Sequence, residues 1–458
     1  MSINKSLVLN TDSYKTSMGC QYPDGTEVIR SYIESRGGLY DQTVMFGLQA
    51  FIKEYLVPSV TKADVDLAQE LWTAHGEPFD RQMWDYIVNE LDGKLPLHIK
   101  AVPEGSIVPT KNVLAVIENT EPTHCRGLTT WAETATLRGI WYPTTVATQS
   151  RNIKQLILQY LEETGDPSGI DFKLHDFGAR GVSSFESAGL GAMGHLVNFK
   201  GTDTMTGILY AREYYNAPMA GFSIPAMEHS TATSWGRDKE ADAYRNMLKH
   251  FAKPGAVVAC VSDSYDVFNA VENIWGEELR QQVIDSGAVV VIRPDSGDPE
   301  KVCGRLVEIL GEKFGYTTNS KGYKVLNNVR LIQGDGVNQR TIHNILGHFK
   351  VYGWSADNIS FGMGGALLQQ LDRDTQKFAM KCSAAQVNGE WRDVFKDPIT
   401  DSGKTSKKGK VTLYKDGNGG YFTDLEGRSE EEALVTVFKD GELFNELTFE
   451  QVRANAAQ

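Results

Sequence analysis

The chain is poor in cysteine, with five in 458 residues. Cys20, Cys125, Cys260, Cys303 and Cys382 are odd in number, far apart and partly inside apolar runs. This arrangement excludes a disulfide framework and a metal site of the CxxC type. We predict reduced, buried thiols.

Long apolar runs are also absent. No run approaches the ~18 apolar residues of a membrane-spanning helix, and the amino terminus lacks the apolar core of a signal peptide. Positive charge is not in excess, since 46 basic side chains face 59 acidic ones and the net charge is −13. We therefore predict a cytosolic protein without general affinity for nucleic acids or membranes, in which a local basic cluster holds any bound phosphate.

Several catalytic motifs are missing or incomplete. The chain has no P-loop, and its nine histidines lack the HExxH spacing of zinc hydrolases. Residues 189–194 satisfy the dinucleotide pattern GxGxxG, but small and polar residues precede them instead of a buried strand, which favours close helix packing. Residues 176–178 copy the kinase triplet DFG without an HRD motif or a Gly-rich nucleotide loop upstream, which excludes a kinase.

The chain does contain a repeated pattern of short, β-branched, almost wholly apolar segments. Each runs into an acidic residue or a glycine turn, at residues 257–263, 289–295, 329–335 and 359–365. Such runs suit parallel strands buried on both faces, and their spacing leaves room for one helix in each crossover. The pattern predicts an α/β fold, an irregular parallel βα barrel or wound sheet, with chemistry at the carboxyl ends of the strands.

The two ends of the chain show a different pattern. Residues 410–414 and 420–423, and again 434–438 and 442–444, read as antiparallel hairpins, and a capping box at Thr448 and Gln451 begins a last helix. Residues 27–35 and 112–118 are also strand-like. A chain of this length favours two domains, so we expect a mainly antiparallel sheet domain built from both termini around the barrel.

The predicted boundaries follow from these patterns. The sheet-containing α+β domain comprises residues 1–150 and 385–458, and the catalytic βα barrel comprises residues 151–384. An amphipathic helix at 152–163, with Gly165 where a C-cap belongs, supports the first boundary.

A dense polar stretch lies between residues 173 and 238. It brings together aromatic, basic and glycine residues at 173–181, a Lys-Gly-Thr turn at 200–204 and adjacent Glu and His at 228–229. Taken singly, a buried histidine is usually a hydrogen-bonded core residue, and a Lys-Gly-Thr turn usually has only a structural role. Their joint occurrence after predicted strands favours a functional site.

Short segments in this stretch and elsewhere resemble the nicotinamide phosphoribosyltransferases, a group of type II phosphoribosyltransferases. They cover nearly the whole chain in the family's order, at residues 11–15, 34–36, 175–180, 200–204, 228–230, 262–266, 293–297, 333–336, 364–365 and 394–398. The resemblance implies conversion of nicotinamide and phosphoribosyl pyrophosphate to nicotinamide mononucleotide and pyrophosphate, with Mg²⁺ required and ATP hydrolysis coupled. It also implies a homodimer with shared active sites; the direct ligands of the metal stay unknown.

The resemblance assigns residues to the nicotinamide ring. Phe177 and Tyr14 of the partner subunit would sandwich the pyridine. Asp203 would accept a hydrogen bond from the carboxamide and repel the carboxylate of nicotinate. Other residues that the family places at the ring and ribose are Asp12, Arg293 and the catalytic Asp295.

Phosphate and ribose binding is implied for a larger set. Backbone N–H groups would come from Gly334, Gly364 and Gly365, and charge from Arg373 and from Arg180 near the pyrophosphate. Asp335 belongs to the same region. Basic residues that reach the phosphates, partly from the other protomer, are Arg36, Lys381, Lys396 and Lys404.

ATP dependence is implied for His229. In the family this histidine is phosphorylated by ATP, and Asp263 supports its imidazole by hydrogen bonding. Glu228 receives only a supporting role, because adjacent residues on a strand face opposite ways. Ser223 and Ala226 are further supporting residues.

Two alternatives remain open. A nicotinate phosphoribosyltransferase would share the architecture and the histidine. A catalytically silent interaction protein is the other, since a fold alone does not prove activity.

Overall fold

The computed structural model describes residues 4–400 and 405–458. Its strands are β1 (Thr26–Ser35), β2 (Gln42–Val44), β3 (Leu97–Ala101), β4 (Ile107–Pro109), β5 (Val113–Asn119), β6 (Leu174–Asp176), β7 (Gly201–Thr202), β8 (Val257–Val261), β9 (Val289–Arg293), β10 (Tyr316–Thr318), β11 (Lys324–Leu326), β12 (Val329–Gln333), β13 (Ile359–Met363), β14 (Phe378–Val387), β15 (Glu390–Asp393), β16 (Val411–Lys415), β17 (Tyr421–Leu425), β18 (Glu431–Glu432), β19 (Val435–Lys439) and β20 (Glu442–Leu443).

The α-helices are α1 (Leu48–Phe51), α2 (Lys62–His75), α3 (Arg81–Glu90), α4 (Leu128–Trp131), α5 (Glu133–Thr164), α6 (Phe185–Leu196), α7 (Met205–Tyr215), α8 (His229–Thr233), α9 (Glu240–Phe251), α10 (Val267–Asn269), α11 (Arg280–Ser286), α12 (Pro299–Phe314), α13 (Gln339–Val351), α14 (Gly365–Leu368) and α15 (Phe449–Ala456).

The chain divides into two compact units. Unit 1 comprises Met1–Thr148, Ala211–Ala217 and Asp372–Gln458, and unit 2 comprises Gln149–Tyr210 and Pro218–Leu371. The predicted boundary at residue 384 is wrong, because it falls inside β14, which pairs with β1 along its length.

Unit 2 is built on a curled parallel sheet with the strand order β7-β6-β13-β12-β9-β8. The four apolar segments predicted as buried strands form β8, β9, β12 and β13, so the expected parallel βα architecture is confirmed. Their register aligns the strand ends, since Val261 pairs with Arg293 and Met363 pairs with Asp176. Residues that follow these strands therefore come together at one edge.

The two edges of this sheet are joined by residues 222–226. Phe222 forms a parallel bridge with Gly201 beside β7, and Ala226 forms one with Ala259 in β8. The backbone N–H of Met227 donates to the Ala259 carbonyl at 2.9 Å. This single irregular segment closes the curled sheet into a barrel.

The glycine-rich segment 189–194 lies inside α6, as the helix-packing interpretation predicts. A Cβ on Gly189 would lie 2.7 Å from the Tyr210 ring, and one on Gly207 would lie 2.5 Å from the Ala192 Cβ. The glycines therefore permit close packing of α6 with the residues of α7.

The helix predicted at 152–163 is only the last part of α5. Pro143 lies inside this helix, where it removes one backbone donor. Its ring packs against Gly47, which has a φ of 97°. The earlier part of α5 is hard to predict from sequence, because Pro143 and the threonines around it are poor helix formers.

Unit 1 contains an antiparallel sheet with the order β15-β14-β1-β5-β3-β19-β20. Both predicted hairpins form, as β16 with β17 and as β19 with β20. The capping box of Thr448 and Gln451 begins α15 as predicted. The core of this unit is centred on Trp131, whose ring meets Trp72 and Trp84 edge-on.

All five cysteines are free thiols. Cys125, Cys260 and Cys303 are buried, but Cys20 is exposed and Cys382 is half-buried, so the prediction of burial is wrong for these two. In the described ranges, no helix is both long enough and apolar enough to cross a membrane.

Candidate active site

A cavity of about 420 Å³ opens at the carboxyl ends of the unit 2 strands. Its size suits a small-molecule ligand. Most of its lining consists of residues predicted for the site, namely Phe177, Arg180, Asp203, Arg293, Asp295, Gly334, Asp335 and Gly364. Ala179 and Thr204 complete the lining.

The Phe177 ring is the aromatic surface of the cavity. Below it lies a small apolar cluster of Ala259, Val291 and Ile332 from inside the barrel. A Cβ on Gly362 would lie 1.9 Å from Phe177 Cε2, so only glycine permits the ring to take this position. Phe177 is thus fixed as a platform against which a flat ring can stack.

Asp203 is held from two sides. The Nε2–H of His175 donates to its Oδ1 at 2.9 Å, and the Ser223 hydroxyl donates to the same oxygen. Burial raises the pKa of Asp203, but these hydrogen bonds and the charges of His175 and Arg293 outweigh it, so the pKa lies below its ordinary value. Asp203 is therefore ionised at neutral pH, and Oδ2 is left as the oxygen that can accept from a ligand.

The cationic side of the cavity is formed by Arg293, whose Nη2 lies 3.6 Å from Asp295 Oδ2. Gly334 approaches this pair closely, because a Cβ there would lie 3.3 Å from Asp295 Oδ1 and 3.4 Å from Phe177 Cε2. Gly364 also lines the cavity. Glycine at these positions leaves backbone amides open to an anionic group.

Three other predicted phosphate residues of unit 2 lie at or near the same opening. Arg180 and Asp335 line the cavity, and both are exposed. Gly365 begins α14. Its backbone lies close to Gly181, the residue after Arg180, because a Cβ on Gly181 would lie 3.2 Å from the Gly365 Cα.

His229 begins α8, and its Nε2 donates to Asp263 Oδ1 at 2.8 Å. Ser296 donates to the other carboxylate oxygen of Asp263. The strand argument for Glu228 is wrong, because this residue is the N-cap of α8 in a capping box with Thr231. Glu228 thereby fixes the start of the helix that carries His229, which is still a supporting role.

Unit 1 holds the remaining predicted residues. Tyr14 is 57% exposed, and Lys15 Nζ lies 5.1 Å from the centre of its ring. Asp12 Oδ2 accepts a hydrogen bond from Thr134 Oγ1 at 2.8 Å. Lys15 is buried and pairs with Glu133.

A basic cluster in unit 1 consists of Lys15, Arg36, Lys381 and Lys396. Burial lowers the pKa of Lys381, Glu133 opposes this shift, and the other three charges of the cluster lower it further. Arg36 Nη2 is a buried donor without a partner in the described chain. Glu133 and Glu34 already pair with Lys15 and Arg36, so the unpartnered Arg36 Nη2 is the donor of this cluster that a further anion could engage.

The last two predicted phosphate residues are Arg373 and Lys404. Arg373 lies in unit 1 in a short 3₁₀ turn, where its half-exposed guanidinium is 3.4 Å from Asp374. Lys404 lies outside the described residues.

Sequence reasoning missed three residues that pair with predicted or neighbouring charged groups: His175 and Ser296 in unit 2, and Lys15 in the basic cluster of unit 1. All three lie inside motifs that already pointed to the site, at 175–180, 293–297 and 11–15. Their contacts with Asp203, Asp263 and Glu133 join distant segments, and one sequence contains no signal for such pairs.

Comparison with known proteins places this geometry in a family. The profile of the nicotinate phosphoribosyltransferase (NAPRTase) family matches residues 172–442. The profile of the nicotinamide phosphoribosyltransferase N-terminal domain matches residues 6–99. A relative from Xanthomonas campestris pv. campestris (strain 8004), named nicotinamide phosphoribosyltransferase, is 55% identical over 98% of this chain and 98% of its own length.

Solved structures share the fold at low identity. Nicotinate-nucleotide pyrophosphorylase from Pyrococcus furiosus has a TM-score of 0.65 at 14% identity, covering 100% of this chain and 96% of that one. Human nicotinic acid phosphoribosyltransferase has a TM-score of 0.55 at 16% identity, and the match covers 98% of this chain and 93% of the human chain. The chain belongs to the nicotinate phosphoribosyltransferase family, which confirms the resemblance seen in its motifs.

Proposed function

We propose that this phosphoribosyltransferase uses nicotinamide, forming nicotinamide mononucleotide and pyrophosphate from phosphoribosyl pyrophosphate. The relative at 55% identity carries the name of this activity. The main structural support is Asp203, an ionised carboxylate fixed by His175 and Ser223 in the cavity that Phe177 lines.

The choice between amide and acid follows from that charge. A carboxamide N–H donates to Asp203 Oδ2, whereas the carboxylate of nicotinate meets a like charge in a partly desolvated site. The competing proposal, a nicotinate enzyme, has support in the family profile and in the human structure. Asp203 argues against it.

The reaction requires the pyridine nitrogen to attack the anomeric carbon while the bond from that carbon to the pyrophosphate oxygen breaks. The bonding electrons leave with pyrophosphate, and the sugar gains positive character in the transition state. Phe177 and Asp295 line the same cavity. In this proposal Phe177 positions the ring and the carboxylate of Asp295 stabilises the developing positive charge. The amides of Gly334 and Gly364 hold phosphate oxygens, and Arg293 holds the ring and ribose region.

Magnesium is implied by the resemblance. Among residues 4–400 and 405–458, no group of three or more His, Cys, Asp or Glu side chains is arranged to hold a metal ion. Asp295 and Asp335 both line the cavity, however. Mg²⁺ commonly binds one or two carboxylates together with substrate phosphates, so this pair fits an ion that enters with the pyrophosphate. When bound, the ion would neutralise charge on the leaving group.

ATP stimulation is proposed to act through His229. Its Nε2 is engaged by Asp263, which leaves Nδ1 as the nucleophile for the γ-phosphorus of ATP. In this step the Nδ1–P bond forms and the bond to ADP breaks. Nicotinamide mononucleotide formation measured with and without ATP tests the proposal; equal rates would reject the coupling, and no product at all would reject the function.

The active site is proposed to be shared in a homodimer. Unit 2 exposes large apolar side chains on α6 and α7, where Phe185, Met205 and Leu209 are each more than half exposed. Such a patch is typical of a protein interface. Tyr14 is also more than half exposed, which suits stacking of Tyr14 of the partner subunit on a ring held by Phe177.

Mixing two inactive variants tests the shared site. Tyr14→Ala and Phe177→Ala would each remove one side of the ring sandwich. If the site is shared, denaturing and refolding them together restores about one quarter of the wild-type activity, because half of the random dimers are mixed and each has one intact site. Mixtures as inactive as the parent variants would contradict sharing.

A further inference from the structure

Asp263 is a buried carboxylate held by two separate segments of unit 2. Its side chain is 5% exposed. Oδ1 accepts from His229 Nε2 in α8, and Oδ2 accepts from the hydroxyl of Ser296. The backbone N–H of Asp295 also donates to this carboxylate. The loop after β9 therefore supplies two of the donors that orient Asp263.

The same loop forms a wall of the cavity. Arg293, at the end of β9, and Asp295 both line it. The backbone N–H of Ser262, next to Asp263, donates to the Arg293 carbonyl at 3.0 Å. Gly297 turns the chain after Ser296 with a φ of 84°. A ligand that displaces Asp295 thus moves the donors of Asp263 with it.

We propose that Ser296 is a positioning residue that couples occupancy of the cavity to His229 through Asp263. The coupling rests on the proposed function, because the occupant is the nucleotide product or the substrates. When the ligand engages Arg293 and Asp295, the Ser296 hydroxyl and the Asp295 amide shift together and turn the carboxylate. The hydrogen bond that fixes the His229 ring changes in consequence.

The charge state of Asp263 agrees with this linkage. Burial raises its pKa, but the hydrogen bonds from Ser296, His229 and the Asp295 backbone outweigh burial, and the pKa lies below the ordinary value. The carboxylate is therefore ionised at neutral pH, and each donor forms a charge-assisted bond, the stronger class of hydrogen bond. Loss of one donor leaves the orientation of Asp263 to the other two.

Nuclear magnetic resonance of ¹⁵N-histidine-labelled protein tests the coupling. The His229 ring resonances are assigned by their loss in His229→Asn, and nicotinamide mononucleotide is then titrated. The wild type and Ser296→Thr, which keeps the hydroxyl, should show a ligand-dependent shift at His229. Ser296→Ala should bind the nucleotide and lack the shift, whereas the control Ser286→Ala, in α11, should keep it.

Each outcome decides the proposal. A full ligand-dependent shift in Ser296→Ala, or none in a wild type that binds the nucleotide, would overturn it. If the wild type does not bind the nucleotide, the proposed function fails. The linkage between Ser296 and His229 is then tested on the ligand-free proteins. Ser296→Ala must change the chemical shifts of the His229 ring, and spectra identical to those of the wild type would reject the linkage. Ser296→Gly removes the same hydroxyl and replaces Ser296→Ala if that variant does not fold.

Discussion

Phe177 lies directly against Gly362, and the ring can do so only because Gly362 has no side chain. A Cβ at residue 362 would be 1.9 Å from Phe177 Cε2 and 2.2 Å from Cδ2, far inside van der Waals contact. The proposed platform for the pyridine ring is thus set by a neighbouring strand, β13, as well as by Phe177 itself.

Gly362→Ala is therefore expected to displace Phe177. Overpacking of this kind costs about 1–3 kcal/mol, and since the ring borders the cavity we expect KM for nicotinamide to rise by about tenfold or more. The control is Gly169→Ala, where an added Cβ meets nothing within 4 Å. An unchanged KM in a Gly362→Ala variant whose Phe177 ring has moved would show that the platform does not bind the nicotinamide ring.

Asp203→Asn is expected to weaken the preference for nicotinamide over nicotinate. Removal of the like charge relieves a repulsion of about 1–3 kcal/mol after solvent screening, so the ratio of kcat/KM values for the two substrates should fall by about 5- to 150-fold. Asp171→Asn, on a carboxylate that pairs with Lys154 and Lys200, is the control. If the ratio of kcat/KM values is unchanged in Asp203→Asn, Asp203 does not determine the specificity for nicotinamide.

The pH dependence of this preference follows from the sign of the Asp203 shift. The pKa is lowered in the folded protein, so the charge is complete above the ordinary value and is lost only as pH falls through the lower, folded value. If Asp203 sets the preference, the ratio of the kcat/KM values for nicotinamide and nicotinate should therefore be constant from about pH 6 to about pH 9. A preference that titrates within this range would implicate another group.

His229→Ala is expected to abolish ATP stimulation and to leave slow transferase activity. The imidazole is the proposed acceptor of the phosphoryl group, and its hydrogen bond goes to Asp263 and not to Phe177, Asp203 or Arg293, so the substrate-binding side chains themselves are kept. His250→Ala, on an exposed residue of α9, should retain the stimulation. Equal ATP stimulation in the wild type and His229→Ala would reject the assignment.

The stability of unit 1 should depend on Glu118 in a pH-dependent way. Burial raises the pKa of Glu118, but His98 and Arg30 outweigh it and hold the pKa at about 2. Because the folded pKa is lowered, the stabilisation is complete above the ordinary value and is lost as pH falls toward 2. Glu118→Gln should cost about 3 kcal/mol at pH 7 and about half of this or less at pH 3, measured from urea unfolding midpoints.

Glu70 provides the control for that measurement, because it is an exposed glutamate of unit 1. Glu70→Gln should leave the midpoint unchanged at both pH values. A Glu118→Gln destabilisation that is the same at pH 7 and pH 3 would mean that packing, and not charge, accounts for the effect.

Much of the fold was predictable because its signals are local. The buried strands of unit 2 are short Val- and Ile-rich runs, and the hairpins of unit 1 turn at Asp-Gly pairs. The start of α5 was not predictable, because Pro143 is usually a helix breaker and its acceptance depends on packing against Gly47. The end of the barrel was missed for a similar reason: β14 is assigned to unit 1 by its pairing with β1, which begins at Thr26.

The candidate site was predictable as a set of strand ends, and Phe177, Asp203, Arg293 and Gly334 do meet in one cavity. The residues that hold these side chains in place could not be predicted from the sequence. Phe177 depends on Gly362, and Asp203 depends on His175 and Ser223; these are contacts between segments far apart in sequence. The position of Glu228 was not predictable either, because its segment has a strand-like pattern although the chain turns into α8 at that residue.

The central claim is that the cavity at the strand ends selects nicotinamide as the acceptor of a phosphoribosyl group. The most direct measurement is a competition assay, in which purified protein receives phosphoribosyl pyrophosphate with equal concentrations of nicotinamide and nicotinate, and both mononucleotides and pyrophosphate are quantified. We predict predominantly nicotinamide mononucleotide, with one pyrophosphate released for each mononucleotide formed. Predominant formation of nicotinate mononucleotide, or of neither product, would contradict the claim.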